Sequence, residues 1–525
     1  MDNGAMPAQT VAPSLPSASA PAGPSWRGVL ASIDIGSNSF RLEIGQITRG
    51  GRYRRLDYLK DTVRLGAGLE TNGVLSEEAA LRGLACLTRF RTRLAGIPAK
   101  QLRAVATQTL REATNRNAFL ARAGEALGHP VEVISGREEA RLIYKGVARL
   151  QPSEQPRLVV DIGGRSTELI IGTGATPLQA ESFRVGSVSL SMQYFPDGHF
   201  TAERFQAAQV AAGAELEEAL VQFSHQNWVE SLGSSGTAGA VSQLLAASGI
   251  TDGAITPEGL RWCIQECIRA GHQDALKLPG LKPERRAVLG GGLAILNTLA
   301  TQFGIEALQP ARGALRQGVI FDLDERLAAE RDPAAHDLRD DTVLDLQQRF
   351  RVDAAQARRV QDTAAPLLRQ LQPRATLDQQ RELGWAAALH EAGMMVSHHD
   401  HHRHSAYLIG HVDAPGFSQD QQRRLANLVL GHRGGLRKVE PALADPVLAA
   451  QALALRLAVL LCHARSAPDQ PLPSLDADGR QIRLTHTADW GRQHPRTLHL
   501  LQGEVEAWAK VGALRLQVVP AVQTG

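Results

Sequence analysis

The sequence predicts an α/β protein of two similar lobes, followed by an all-α region and a small C-terminal unit of mixed type. Three observations carry this. One strand–turn–strand unit occurs twice, as VLASIDIGSNSFRLEI from Val29 to Ile44 and as LVVDIGGRSTELIIG from Leu158 to Gly172. Around both copies, short apolar runs alternate with amphipathic helices, which is α/β grammar. From about Asp332 onward the helices continue and the strands thin out.

Each repeated unit reads as apolar strand, Asp-Ile-Gly, hydroxyl-rich turn, apolar strand. In the second copy Asp161 precedes Gly163, Gly164, Arg165, Ser166 and Thr167, and Glu168 follows. In the first copy Asp34 precedes Gly36, Ser37, Asn38 and Ser39. Glycines let the backbone approach a ligand, and successive amides in a tight turn make an anion site. Carboxylates beside such a turn are the ligand type that magnesium takes next to phosphate. Two such turns facing each other could hold a phosphate chain from both sides. The alternative is a pair of plain hairpins with polar tips.

Between the copies, 76–94 reads as a helix with Leu81, Leu84, Leu87 and Phe90 on one face. A short buried strand follows at 102–106, and a polar stretch at 107–116 carries Arg111. A helix at 117–127, a strand at 131–134 and a helix at 137–150 complete the first lobe. Ser135 and Glu138 have capping-box spacing, whereas Glu139 is left as a first-turn acid. In the second lobe, 202–222 is helical and 228–232 is a strand. Gly233, Ser234, Ser235, Gly236 and Thr237 then form a small turn before a helix, a place that attracts anions. Gly290, Gly291 and Gly292 open a further apolar helix. Later, His390, Glu391, His398, His399, Asp400, His401, His402 and His404 are residue types that bind metals. A structural, polyanion-binding or dimer-forming role is the competing reading for that stretch.

With 525 residues and a 43% apolar share, several cores are expected. The net charge of +3 indicates no general polyanion coat and no specific nucleic-acid partner. Basic runs do occur, among them Lys282, Arg285 and Arg286, as solvated faces or as a path for a long anion. The four cysteines are scattered, which fits a reducing compartment. No apolar run is long enough to span a membrane, and the Ala/Pro/Ser-rich stretch 1–26 lacks the build of a signal peptide. That stretch is expected to be a disordered extension, and the protein cytoplasmic.

The two turns resemble the phosphate loops of the exopolyphosphatase / guanosine pentaphosphate phosphohydrolase family. The resemblance extends through VATQTLREATN (105–115), ISGREEARLIYKGV (134–147), LGSSGTAGAV (232–241), GGGLAIL (290–296) and GALRQGV (313–319), and more weakly into WAAALHEAG and HRHSAYLIGH. It implies two actin-like (ribonuclease H-like) lobes of the sugar kinase–actin–heat-shock ATPase superfold, at 27–142 and 143–328. An HD-like helical domain would occupy 329–445 and a small domain 446–525.

The resemblance also implies that Glu139 activates water, that Arg111 clamps phosphate and that Arg316 lies near it. The turn at 233–237 would make a third phosphate contact. A magnesium or other divalent ion would sit near Asp34, Asp161 and Glu168. The implied activity is exopolyphosphatase, removing terminal phosphate processively from inorganic polyphosphate, by a homodimer of the long form. Hydrolysis of guanosine pentaphosphate is the nearest alternative, and a non-catalytic polyphosphate or alarmone binder is another. For an ATP-dependent kinase, neither an adenosine pocket nor an acceptor base is identifiable. The family turn is normally Gly-Gly-Gly-Ser-Thr. Arg165 stands in place of its third glycine; at positive φ a non-glycine would be strained, and Arg165 is expected to be tolerated there and to point along the cleft.

Overall fold

Two five-stranded sheets repeat one strand order. In the first, β1 (Val29–Ile35), β2 (Phe40–Ile47) and β3 (Tyr53–Asp61) form an antiparallel meander. β4 (Leu102–Ala106) and β5 (Val131–Val133) extend the other side in parallel, giving the order β3-β2-β1-β4-β5. The second sheet comprises β6 (Arg157–Ile162), β7 (Thr167–Thr173), β8 (Thr176–Phe183), β9 (Glu230–Ser234) and β10 (Leu308–Pro310). Read from the other edge it has the same order, β8-β7-β6-β9-β10. The computed structural model describes residues 28–48, 50–332, 335–469 and 471–521, so the stretch 1–26 lies outside the described residues.

Helices cover both sheets. In chain order they are α1 (Glu77–Arg93), α2 (Gln108–Glu112), α3 (Arg116–Leu127), α4 (Gly136–Leu150), α5 (Ser187–Tyr194), α6 (Ala202–Leu216), α7 (Ser235–Ala247), α8 (Pro257–Ala270), α9 (Arg286–Gln302) and α10 (Leu315–Arg331). α1 starts where Ser76 caps it, but its buried face is Ala79, Ala80, Gly83, Cys86, Leu87 and Phe90. Leu81 is exposed, because the small residues let the helix sit closer to the sheet than a leucine stripe would. The Gly290–Gly292 run lies inside α9 rather than opening it. A Cβ on Gly291 would come 2.5 Å from the Ser187 carbonyl, so the run serves packing against α5.

α4 and α10 cross between the sheets. The crossing is so close that a Cβ on Gly318 would stand 1.7 Å from the Leu142 carbonyl oxygen. One core cluster there joins Val105 of the first sheet, Leu142 and Val147 of α4, Val159 and Leu232 of the second sheet, and Val319 of α10. Polar groups reinforce the joint. Asp322 accepts from Arg103, Arg141 and Arg326, each at 2.7 Å. Burial works against its charge, yet these arginines hold the carboxyl well below its usual range. The local capping box is not formed as the spacing suggested. Ser135 does cap the Glu138 amide at 3.2 Å, but the Glu138 carboxylate turns to Arg141 and to the Gly416 amide.

The rest of the chain shares one hydrophobic core, from Val343 to Leu516. It contains α11 (Leu338–Arg349), α12 (Ala354–Leu371), α13 (Leu377–Leu389), α14 (His401–His411), α15 (Gln419–Gly431) and α16 (Pro446–Leu461). A three-stranded sheet follows, β11 (Ser474–Asp478), β12 (Gln481–His486) and β13 (Arg515–Pro520), with α17 (Ala488–Gln493) and α18 (Pro495–Val511) between its last two strands. The histidines gather inside this unit. Nδ1 of His390 donates to the Ala387 carbonyl at 2.7 Å, and Nδ1 of His432 to that of Val429 at 2.6 Å. Burial pushes His390 down to about 4, so the ring is neutral near pH 7. Glu391 is held by Arg465. Among the described residues, no three His, Cys, Asp or Glu side chains form a metal cluster by themselves. All four cysteines are buried and unbridged.

Replacing Asp322 by alanine leaves several buried arginines without their shared acid. We expect a loss of roughly 3–5 kcal/mol, seen as a lower thermal midpoint and an earlier urea transition. An unchanged melt would rule out this account of the joint.

Candidate active site

β1 and β6 end at Ile35 and Ile162, and the two repeated turns begin there. Both turns line one cavity: Gly36, Ser37, Asn38 and Ser39 on one side, Gly163, Gly164 and Ser166 on the other. They touch. A Cβ on Gly164 would lie 3.0 Å from the Ser37 Cβ and 3.3 Å from the Asn38 amide nitrogen, so any larger residue would push the lobes apart. The amides of Ser37, Asn38, Gly164 and Ser166 have no backbone acceptor among the described turn hydrogen bonds, which suits an anion. The Ser39 hydroxyl is buried and unpartnered, a cost that a phosphoryl oxygen would relieve.

A third wall is the start of α7, where Ser235, Gly236 and Thr237 line the same cavity. Ser235 and Thr237 donate to the Ile162 carbonyl at 3.0 and 2.9 Å, tying the helix N-terminus to the end of β6. Their hydroxyls are therefore structural, and the amide end of the helix is what the cavity receives. Ser235 has φ +77°, a left-handed conformation for a non-glycine, and such strain concentrates at working sites.

Asp34, Asp161 and Glu139 supply carboxylates to this cavity. Glu139 sits in the first turn of α4, where Arg111 Nη1 donates to its Oε2 at 2.7 Å. Burial raises Glu139 to about 7, against the pull of Arg111 and with Asp34 and Asp161 adding to the rise. Burial raises Asp161 to about 6, while the nearby Ser234 hydroxyl and Arg41 oppose it. Glu168 lies opposite Asp161 across the β6–β7 pair. Burial, then Glu139 and Asp161, push it well above the usual carboxylate range, and it accepts from the Ser182 hydroxyl at 2.8 Å.

Several residues singled out from the sequence are placed outside the cavity wall. Arg111 stands behind Glu139, also held by Gln108 and the Ile134 carbonyl. Glu168 is likewise behind, turned to Ser182. Thr167 donates to the Val185 carbonyl and Ser234 to that of Gly313, while Gly233 is part of β9. Arg316 is drawn to the buried Glu43 at 2.6 Å and lies over the Tyr58 ring. Arg165 is a correction in where its side chain points. Its φ is not in the left-handed region, so no such strain arises. Its side chain leaves the cavity for Glu112, at 3.0 Å, and the Gly66 carbonyl, at 3.2 Å.

Other residues on the wall were missed. Arg41 donates to Asp34 at 3.1 Å. The period-2 alternation from Ser39 could have placed it on the same strand face. The Arg285 backbone amide donates to the Lys282 carbonyl, but its guanidinium has no hydrogen-bond or ion-pair partner among the described residues, and its Nη2 would lie 2.1 Å from a Cβ on Gly236. Burial and Arg41 lower its pKa, so this cation is held against an electrostatic cost. Its run with Lys282 and Arg286 was visible, but a basic run reads by default as a solvated face. Ser187 donates to the Gly163 carbonyl at 3.0 Å and braces the second turn.

A family model for the Ppx/GppA phosphatase family matches residues 44–327, and one for Ppx/GppA phosphatase domain III matches residues 338–505. The chain belongs to the Ppx/GppA phosphatase family. This Ppx/GppA member is 37% identical over 487 residues to the guanosine-5'-triphosphate,3'-diphosphate pyrophosphatase of Vibrio cholerae, covering 92% of this chain and 96% of that one. The protein of that name from Photobacterium profundum is 37% identical over 486 residues, with the same coverage. Among solved structures, an exopolyphosphatase from Cytophaga hutchinsonii matches with a TM-score of 0.50 at 25% identity, over 56% of this chain and 98% of that one.

For a Ppx/GppA phosphatase the donor set suits a divalent cation shared with substrate. Asp34 and Asp161 face the cavity, and one or two carboxylates plus phosphate oxygens are what magnesium accepts. The buried acids also set a stability cost. Glu139 and Asp161 titrate near 7 and 6 when folded, against 4.5 and 3.8 as ordinary groups. Raised acids support folding fully below about pH 4, and that support is lost as pH climbs through their folded values. Replacing Glu168 by glutamine removes one of the mutually repelling acids. The thermal midpoint should then exceed the parent's by a few degrees at pH 8, with the gap closing towards pH 4. A gap that ignores pH would count against the acid cluster.

Proposed function

We propose that this Ppx/GppA phosphatase hydrolyses the terminal phosphoanhydride bond of guanosine pentaphosphate, giving guanosine tetraphosphate and phosphate. The observation that carries the hydrolase reading is Glu139, buried, raised to about 7, and lining one cavity with the two repeated turns and the start of α7. A base poised near the working pH transfers protons well. The nucleotide is put first because relatives 37% identical over 92% of this chain bear the name guanosine-5'-triphosphate,3'-diphosphate pyrophosphatase.

In the mechanism, the turns at 36–39 and 163–166 and the start of α7 grip the terminal phosphoryl oxygens. Arg41 and Arg285 lie against its charge. Glu139 takes a proton from water as the water oxygen bonds to the terminal phosphorus. The bond from that phosphorus to the bridging oxygen breaks, and the bridging oxygen leaves with the nucleotide. Arg111 holds the Glu139 carboxylate in place. Asp34 and Asp161 would hold a magnesium ion, which when bound neutralises phosphate charge. Such catalysis is mostly positioning and electrostatics. In this reading the two sheets of identical order are the actin-like halves of one superfold, the helical unit is HD-like, and the enzyme is a cytoplasmic homodimer.

Exopolyphosphatase activity, first on the sequence alone, becomes the second reading. It is supported by Lys60, which burial and the nearby Arg285, Arg41 and Lys282 lower to about 8. Clustered cations beside the cavity suit a chain longer than one nucleotide's phosphates.

The test is phosphate release from guanosine pentaphosphate against long polyphosphate, with and without magnesium. Faster turnover of polyphosphate would reverse the order of the two readings. Glu139→Gln should fold and lose about 100-fold or more of the turnover. Parental turnover should climb with pH through about 7, as Glu139 loses its proton. Near-parental activity in the glutamine variant would sink the base assignment.

A further inference from the structure

We propose that Arg165 is a positioning residue that fixes, through Glu112 and Gln108, the orientation of Arg111 and thereby of the Glu139 carboxylate. The inference rests on the reading of Glu139 as the base. Its ground is one continuous chain of hydrogen bonds. Arg165 Nε donates to Glu112 Oε2 at 3.0 Å, and Nη2 of the same guanidinium lies 2.9 Å from that oxygen. Gln108 Nε2 donates to Glu112 Oε1 at 2.6 Å. Arg111 Nε donates to Gln108 Oε1 at 2.8 Å, and Arg111 Nη1 donates to Glu139 Oε2 at 2.7 Å.

The order of donors and acceptors gives this chain its force. Glu112 accepts from the Gln108 amide, so the Gln108 carbonyl oxygen must face Arg111. Once Arg165 no longer holds the Glu112 carboxylate, that carboxylate can swing off the Gln108 amide; the amide can then turn over, and its NH2 would confront the Arg111 guanidinium, donor against donor. Gln108 is buried, so water does not readily replace the lost partner. Arg111 would also lose one of the contacts that set its plane, and the Glu139 carboxylate its fixed donor.

The chain also crosses the cleft. Glu112, Gln108 and Arg111 all belong to the single short helix α2 of the first lobe. Arg165 comes from the second phosphate turn, and its guanidinium reaches the Gly66 carbonyl of the first lobe at 3.2 Å as well. The link therefore spans the two turns, and ties alignment of the base to the contact between them. A glycine at 165 has no side chain with which to make it.

Arg165→Gly, Arg165→Lys, Glu112→Gln and the Arg165→Gly/Glu112→Gln double variant are compared with the parent in phosphate release, alongside Glu139→Gln. Thermal melts establish that each is folded. Arg165→Gly and Glu112→Gln should each lower kcat about tenfold with little change in KM, as a displaced catalytic group does. Their acid limbs should move up by about half a unit, because a loosened Arg111 no longer holds Glu139 down. Arg165→Lys should recover part of kcat. The double variant should be no worse than either single one, since both cut the same chain. The proposal is overturned if Arg165→Gly changes KM alone, if it matches the parent in kcat and pH profile, or if the two single effects add. Turnover surviving in Glu139→Gln overturns the base assignment and this inference together. An inactive Glu139→Gln beside a parental Arg165→Gly overturns this inference and spares the base.

Discussion

The contact between the turn at Gly164 and the turn at Ser37 governs the architecture around it. A phosphate leaving water must find donors on several sides at once, and backbone amides supply them without flexible side chains. Two amide-lined turns can share one anion only if they come within van der Waals reach. That demand explains the glycine at 164, where a Cβ would meet the opposite turn at 3.0 Å. It also explains why the lobes are joined so firmly behind the cavity. The α4–α10 crossing, the Asp322 arginine cluster and the Glu43 pairing with Arg316 and Gln317 all lock the two sheets together.

The cavity itself is a costly place. Burial raises Glu139, Asp161 and Glu168, with Asp161 adding to the rise of both glutamates, Ser39 keeps an unpartnered buried hydroxyl, and Ser235 holds a left-handed backbone. Arg285 stays charged although burial and Arg41 oppose it. Each feature is unfavourable alone. A site built this way trades folding stability for electrostatic readiness.

The helical unit meets the lobes close to Glu139. Gly416 donates its amide to Glu138, the neighbour of Glu139, and accepts from Arg326. Its own interior is closed by neutral histidines and by the buried Arg456–Glu504 pair, which joins α16 to α18. These contacts make it a buttress for the start of α4 as well as a domain with its own core.

Much of this was legible in the chain alone. The repeated strand–turn–strand units, the acids at Asp34 and Asp161, the amide-rich turns and the first-turn position of Glu139 depend on local spacing, and local spacing survives folding. The destinations of long side chains did not follow from it. Arg165 went to Glu112, Arg316 to Glu43 and Glu138 to Arg141 and Gly416, while Arg41 and Arg285 took the places on the cavity wall. A guanidinium settles on whichever carboxylate the fold brings within reach. Apart from Glu138 and Arg141 on one helix, those partners are distant in sequence. The turns and their acids were therefore written in the chain, whereas the charges that line the cavity were chosen by tertiary proximity.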